Sequence, residues 1–366
     1  MRIINLSSNM KYFAIACLSL VYISLFTACA SEGPSSLRAR PTAFGKANQV
    51  VVITDQDVWD GMVGDTLRQY FSSSFLILPQ PEPIFDLKHF TPQQLLEDPL
   101  RKELRTYILL GNTSDPNSNT GRLISKDVGQ GSPIKTKSGE TTFTRVAQDK
   151  WASGQLLIYL YGNNDEEMIS TIKNNFNAAI KRIQQADVDQ LTSTVYQRGQ
   201  SKDLQGILKS TFNLEMGVPA DYILAMQDEN TVWMRHETEF VSTNIMVHKY
   251  KYTQKEQLSK QGIIDIRNVL GKRLVSTEIE NTYMRVNDID LPMYTKVIDV
   301  NGRYTIEARG IWDIVNDFMG GPFMSYLIHN PDTNELLFID GFVYAPGKQK
   351  RRYMQYLELI LSSAKF

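Results

Sequence analysis

The sequence predicts an α+β protein of two subdomains, each a mixed or largely antiparallel sheet with helices packed on one face. Three observations predict it. Val50-Val51-Val52-Ile53-Thr54 and Gln155 to Tyr161 are continuous apolar runs, each followed by an amphipathic stretch, the pattern of buried strands feeding helices. The second half is dominated by hairpin signals, above all Asn301-Gly302 between two β-rich runs. Between the halves, Asp187 to Gln200 is polar, lacks apolar periodicity and reads as a linker. The expected organisation is a signal peptide at 1–28, a lipidated tether at 29–48, a first α/β subdomain at 49–186, a linker at 187–200 and a second, hairpin-rich subdomain at 201–366.

The N-terminus carries an address. Arg2 and Lys11 precede an apolar run from Tyr12 to Phe26, shorter than the roughly 20 residues a transmembrane helix needs and suited to a signal-peptide core. Leu25-Phe26-Thr27-Ala28-Cys29 resembles the bacterial lipobox, with Phe26 where that motif usually has leucine. The resemblance implies cleavage before Cys29 and a lipid on its sulfur and amine, anchoring the chain to a membrane. Ala30 follows, with no aspartate retention signal. By resemblance to known sorting patterns this favours the periplasmic face of the outer membrane. Ser31 to Asn48, rich in Gly, Pro and Ser, reads as the tether.

In the first subdomain, a helix is expected after Thr54, with Trp59, Val63, Leu67, Tyr70 and Phe71 near one face. Leu78-Pro79-Gln80-Pro81-Glu82-Pro83 can be neither helix nor strand, because proline lacks a donor and restricts its predecessor. Tyr107 to Leu110 is a further strand. The polar segment 112–148 reads as a long exposed insertion, mobile, functional or hiding a hairpin. Asn164 is placed to cap a helix whose first turn holds Asp165, Glu166 and Glu167 and whose later turns hold Lys181 and Arg182, matching the dipole.

The second subdomain opens with a helix from Ser201, stopped by Gly217-Val218-Pro219. Strands are expected at Tyr222 to Met226, Thr231 to Arg235 and Val241 to Tyr250. A capping-box pattern at Thr253-Gln254-Lys255-Glu256 then opens a helix reaching about Leu270. Strands follow at Tyr283 to Val286 and at Tyr294 to Val300, the latter joined through Asn301-Gly302 to Arg303 to Arg309. A second hairpin joins Pro322 to His329 with Glu335 to Tyr344. A final helix begins near Lys348.

The 366 residues carry a net charge of -1, which argues against a nucleic-acid partner. The two cysteines are Cys17 and Cys29, so a cleaved chain keeps only the lipidated one; an internal disulfide and thiol chemistry are then excluded. No nucleophile elbow, zinc-helix motif, Walker loop or dinucleotide fingerprint is present. His89, His236, His248 and His329 are scattered, without metal-ligand spacing. No cofactor or metal is expected. Glu307 and Asp340, on neighbouring hairpins, are the one pair of carboxylates that could do acid–base work on an envelope glycan. Trp59, Asp65 and Arg68, with Arg309, Trp312 and Tyr344, are candidates for a ligand or partner surface; the plainer reading of the Trp59 and Arg309-to-Trp312 groups is core and cap packing. Met319-Gly320-Gly321-Pro322 permits a tight turn or a close backbone approach.

Several of these groups recur as blocks: Trp59-x-Gly61-x-x-Gly64-Asp65-Thr66-Leu67-Arg68, the proline loop at 78–83, Arg309-Gly310-Ile311-Trp312, Met319 to Phe323, and Asp340-Gly341-Phe342-Val343-Tyr344-Ala345-Pro346. In that order they resemble a lipoprotein family known as domain of unknown function 4837, from about Asn48 to the C-terminus. The resemblance implies an envelope lipoprotein and supplies no activity. The expected function is non-enzymatic binding or assembly of an envelope protein or glycan partner, with a periplasmic glycan hydrolase as the alternative.

Overall fold

A computed structural model describes residues 40–129, 134–135 and 141–366. The signal peptide, Cys29 and most of the tether lie outside the described residues. The chain is a mixed α+β protein in two regions, as the sequence predicts.

The first region holds β1 (Gln49–Ile53), α1 (Gln56–Asp60), α2 (Met62–Phe71), β2 (Asp86–Phe90), α3 (Pro92–Glu97), β3 (Thr106–Asn112), α4 (Asn119–Val128), the short pair β4 (Ile134–Lys135) and β5 (Thr141–Thr142), β6 (Thr144–Gln148), β7 (Leu156–Gly162) and α5 (Asp165–Val195). Its main sheet has the order β2-β1-β3-β7-β6, parallel except for the antiparallel edge β6. Alternation along the strands makes two cores. Val50, Val52, Ile108, Ile158 and Leu160 meet Leu67, Phe71, Met168 and Ile172 of α2 and α5. Val51, Ile53, Leu109, Tyr107 and Tyr159 meet Leu95 of α3 and Ile124 of α4.

The expected single helical layer is therefore a double one. A parallel sheet buried on both faces reads as continuous apolar runs, and Val50 to Ile53 is such a run. The second layer is built partly from the segment at 112–148. There Ser118 caps α4 by accepting the Gly121 N–H at 2.8 Å, and β6 adds a strand. That helix buries Thr120, Gly121 and Ile124, a face too small and polar for periodicity to reveal. Helix α5 is capped by Asn164, which accepts the Glu167 N–H at 2.9 Å, and it runs to Val195, through most of the stretch that reads as a linker.

The second region holds α6 (Lys202–Phe212), β8 (Ile223–Gln227), β9 (Thr231–Glu237), β10 (Ser242–Lys251), α7 (Lys260–Leu274), β11 (Tyr283–Val286), β12 (Tyr294–Val300), β13 (Arg303–Val315), β14 (Gly320–Asn330), β15 (Glu335–Tyr344) and α8 (Arg351–Ser362). Its sheet is antiparallel, in the order β11-β13-β14-β15-β10-β9-β8, with β12 also on β13. The Asn301-Gly302 hairpin forms with φ of 53° and 80°, the double positive φ a type I′ turn requires. Helices α6 and α8 cover one face of this sheet through Leu204, Leu208, Met354 and Leu357. Helix α7 covers the other through Ile263, Ile266 and Leu270. Its cap is Ser259, which accepts the Gly262 N–H, so the helix starts later than the sequence suggests; Gln254 and Gln257 box a separate 3-10 turn before it. No described helix is long and apolar enough to cross a membrane.

Candidate ligand cleft at the domain junction

The two regions meet through buried polar contacts as well as through Leu78, which packs into the α6/α8-side core of the second region. Prolines keep the loop at 78–83 out of both sheets, and Glu82 at its end is buried. Its Oε1 accepts the Lys350 N–H at 2.5 Å and its Oε2 the Arg351 N–H at 3.0 Å. The carboxylate thus caps α8, where the helix dipole favours negative charge. This answers the basic run Lys348 to Arg352, which by itself sits at the wrong end of a helix. Arg351 donates to the Pro83 carbonyl, to the Ile84 carbonyl and, at 2.7 Å, to Asp86. Asn48 donates its N–H to buried Asp187 on α5 at 2.8 Å, and its amide exchanges two 2.8 Å hydrogen bonds with Gln355 on α8. Burial, opposed by the Asn48 bond and the Arg105 charge, raises the Asp187 carboxyl above its usual range.

Beside these locks lies a cleft of about 360 Å³, walled by Lys46, Asn48, Gln190, Arg351, Arg352 and Tyr356. An apolar slot of about 130 Å³ adjoins it, sharing Thr194 and Tyr356; Val195, Pro219, Tyr222, Tyr353 and Ile360 form its walls. His236 stands at the slot, 3.6 Å from Asp221. Of the charges on the cleft, Glu82 and Asp86 are consumed by α8 and Arg351, while Lys46 and Arg352 are exposed. Gln190 Oε1 and Arg351 Nε are buried without a hydrogen-bond partner among the described residues.

A second concavity, about 340 Å³, opens at the carboxyl ends of β1 and β3, where the strand order reverses and open parallel sheets commonly bind ligands. It is lined by acceptors, among them Asp55, Asp57, Asn112, Asp115 and Asp165. Asp55 is tied to α4, accepting the Ser118 hydroxyl at 2.6 Å and the Thr120 N–H at 3.1 Å. Among the described residues no group of three His, Cys, Asp or Glu side chains is placed to hold a metal ion.

The structure divides the candidate surface residues. Trp59, Asp65 and Arg68 come together on α1 and α2. The Trp59 indole stacks on the His89 ring at 4.5 Å and 4°, carries the Arg68 guanidinium at 4.5 Å, and Arg68 pairs with Asp65 at 2.5 Å. The indole's π-surface is thereby engaged by the protein's own groups. Trp312, 3% exposed, lies in the α7-side core with Tyr344 6.3 Å away. Arg309 is on the opposite face, between Glu307 at 2.7 Å and Glu358 at 2.6 Å. Burial works against its charge, but the Glu358 and Glu307 carboxylates outweigh burial and hold the guanidinium firmly protonated.

Glu307 and Asp340 do not form a pair. Glu307 stands opposite Tyr326 on the α8 face. Asp340 stands opposite Ser325 and faces α7, accepting Ser325 Oγ at 2.5 Å and Arg267 Nε at 3.1 Å. Carboxylates on opposite faces of one sheet cannot share a glycosidic bond, so the acid–base reading fails. His248 is buried against the Thr231 hydroxyl at 2.7 Å, and His329 packs on Tyr252. Glu82, Gln190 and Tyr356 at the cleft escape the sequence reading, which reaches Arg351 only within the basic run at 348–352. The signal available for the first was a glutamate fixed between prolines in a chain with an uncompensated basic helix start.

Residues 201–363 match the family model of a domain of unknown function, DUF4837. Residues 43–196 match that of another, DUF8532, so the blocks at Trp59 to Arg68 and 78–83 fall under a different family from the one they suggested. No curated protein matches the chain. Among solved structures, the Saccharomyces cerevisiae Ran-binding protein Mog1p aligns at 12% identity and a TM-score of 0.27, covering 42% of this chain and 89% of that one. The human StAR-related lipid transfer protein 5 aligns at 10% identity and 0.22, covering 49% and 95%. Likenesses that loose carry no argument. In its second half the chain resembles domain of unknown function DUF4837, and in its first half DUF8532.

Proposed function

We propose that this is a lipid-anchored cell-envelope protein, held by Cys29 at the periplasmic face of the outer membrane, whose folded part binds a partner without transforming it. The cleft between the two halves is the binding site, and it takes an acidic group of an envelope protein or glycan with a small apolar group beside it. The observation that carries this reading is the charge balance of the cleft: its two carboxylates are consumed internally, while Lys46 and Arg352 face outward next to an apolar slot. Its volume lies within the range of small-ligand sites. The chain joins the body from Thr42, which bridges Ser153, and Phe44, which bridges Leu104, and reaches the cleft wall a few residues later at Lys46 to Asn48.

Binding to N-acetylphenylalanine, glucuronate and inorganic phosphate tests this by calorimetry on the full chain in detergent. Tighter binding of the aromatic acid points to a protein terminus, of glucuronate to an acidic glycan. Loss of binding in Lys46→Glu/Arg352→Glu supports the cleft; binding of none of the three, or binding indifferent to that double reversal, refutes it. Palmitate labelling that survives Cys29→Ala would refute the anchor.

A further inference from the structure

Strand β8 ends the sheet of the second region, and among the described residues nothing pairs with its outer edge. An open edge presents unpaired backbone donors and acceptors, and proteins blunt such edges with charges, prolines or bulges. The other edges of the two main sheets follow that rule: β2 carries Asp86 and Lys88, β6 carries Arg145, β11 carries Arg285, and β12 carries Lys296 and Asp299. Strand β8, Ile-Leu-Ala-Met-Gln, carries neither charge nor proline, and Ile223 and Leu224 are 56% and 40% exposed. Its single irregularity is a bulge between Leu224 and Met226. Ile223 then lies opposite Arg235 and Met226 opposite Trp233, so the bulge brings both apolar side chains to one face.

The charges lie just beyond the strand, and all are negative. Asp221, 3.6 Å from His236, precedes it, and Asp228, 3.8 Å from Arg273, and the exposed Glu229 follow. Self-pairing is disfavoured by this arrangement. An antiparallel pairing with a second copy centred on Ala225 sets Asp221 against Glu229, and an in-register parallel pairing sets each acid against itself; like charges directly opposite destabilise a sheet. A strand with apolar residues in its middle and lysine or arginine at its ends has the complementary pattern.

We propose that β8 is a strand-addition site for an extended, basic-flanked segment of a partner protein, which adds to the sheet antiparallel or parallel through main-chain hydrogen bonds. The apolar residues of that segment cover Ile223 and Met226, and its end charges meet Asp221, Asp228 and Glu229. This site shares Asp221 with the rim of the apolar slot, while the strand itself lies outside the junction cleft, and the proposal does not depend on that cleft binding a ligand.

The test is hydrogen exchange on the full chain in detergent, with a nonapeptide of alternating valine and threonine carrying two lysines at each end, and a counterpart carrying glutamates instead. The expected result is slowed exchange confined to the β8 amides and their neighbours, with the lysine peptide binding about ten-fold or more tighter than its counterpart. Ile223→Lys, which restores the missing edge charge without touching the core, abolishes that protection. Protection at β12 instead, equal binding of both peptides, or binding unaffected by Ile223→Lys overturns the proposal. So does concentration-dependent protection of β8 in the absence of peptide, which would assign the edge to a second copy.

Discussion

The Glu82 carboxylate accepts the backbone N–H of Arg351 at 3.0 Å, across 269 positions of sequence. One side chain in a proline loop of the first region is the N-terminal cap of the last helix of the second. Caps are ordinarily local, supplied by the residue before the helix; Lys350 stands there and makes no side-chain cap. The same contact therefore satisfies α8 and ties the two regions together at the wall of the cleft.

Replacing Glu82 by alanine leaves two buried amides without an acceptor and removes one of the contacts that join the regions. The expected loss is about 1–2 kcal/mol of unfolding free energy. Glu82→Gln keeps an acceptor and loses less. Urea unfolding measures both, and hydrogen exchange in the first turn of α8 rises in the same order. Equal stability of wild type and Glu82→Ala would remove the cap from the account.

Arg267 and Asp340 pair at 3.1 Å with about 1% and 2% of their side chains exposed, and the guanidinium lies 3.8 Å from the Phe323 ring. Burial pulls the Arg267 pKa down against the Asp340 charge that raises it. Breaking such a pair strands a buried charge, so Arg267→Met alone costs about 3–5 kcal/mol. Adding Asp340→Leu removes the stranded charge and recovers most of the loss. A double-mutant cycle by denaturation checks it, and additive losses would show that the two residues act independently.

The His248 imidazole is held down to about 4, first by burial and then by the Arg273 charge, against an opposing pull from Asp228. In an unfolded chain it titrates near 6.5, so on acidification the unfolded state takes up the proton first. The stability this neutral ring confers is complete above that pH and is lost as pH falls from about 6.5 toward 4, by on the order of 2 kcal/mol after allowing for solvent screening. His248→Gln removes this part of the acid sensitivity. Urea midpoints from pH 7 to 4 should converge for the two proteins; parallel curves would sink the assignment.

What the sequence disclosed follows from how locally each feature is encoded. The Asn301-Gly302 turn, the Ser201 and Asn164 caps and the strand runs depend on neighbouring residues, and the structure has them. The α4 face was hidden because it packs by close approach of Gly121, where a Cβ would lie 1.9 Å from the Asn112 carbonyl, rather than by large apolar side chains. The end of α5 looked like a linker because Asp187, Gln190 and Thr194 face a polar junction. Face assignments across hairpins require register, and so the Glu307 and Asp340 pairing could not be judged from spacing. The cleft was invisible for the same reason: its walls come from four segments far apart in sequence.

The Met319-Gly320-Gly321-Pro322 segment invites a tight turn, yet Gly320 to Pro322 begin β14, and neither glycine has a positive φ. Gly321 is required for a different reason. A Cβ there would lie 2.0 Å from the Val343 carbonyl and 3.2 Å from Trp312 Nε1. The first of these is backbone and cannot swing aside, so β14 would have to part from β15 near the start of their ladder. Gly321→Ala is thus expected to cost about 2–4 kcal/mol, within the range for overpacking a tight contact. Gly206 supplies the opposite sign. It lies inside α6 with nothing within 4 Å of a Cβ and no positive φ, so Gly206→Ala should stabilise by about 1 kcal/mol through helix propensity. Thermal and urea unfolding of the two variants decide the matter. If Gly321→Ala unfolds like wild type, β14 and β15 are further apart than this packing requires, and the close approach is not what keeps the glycine there.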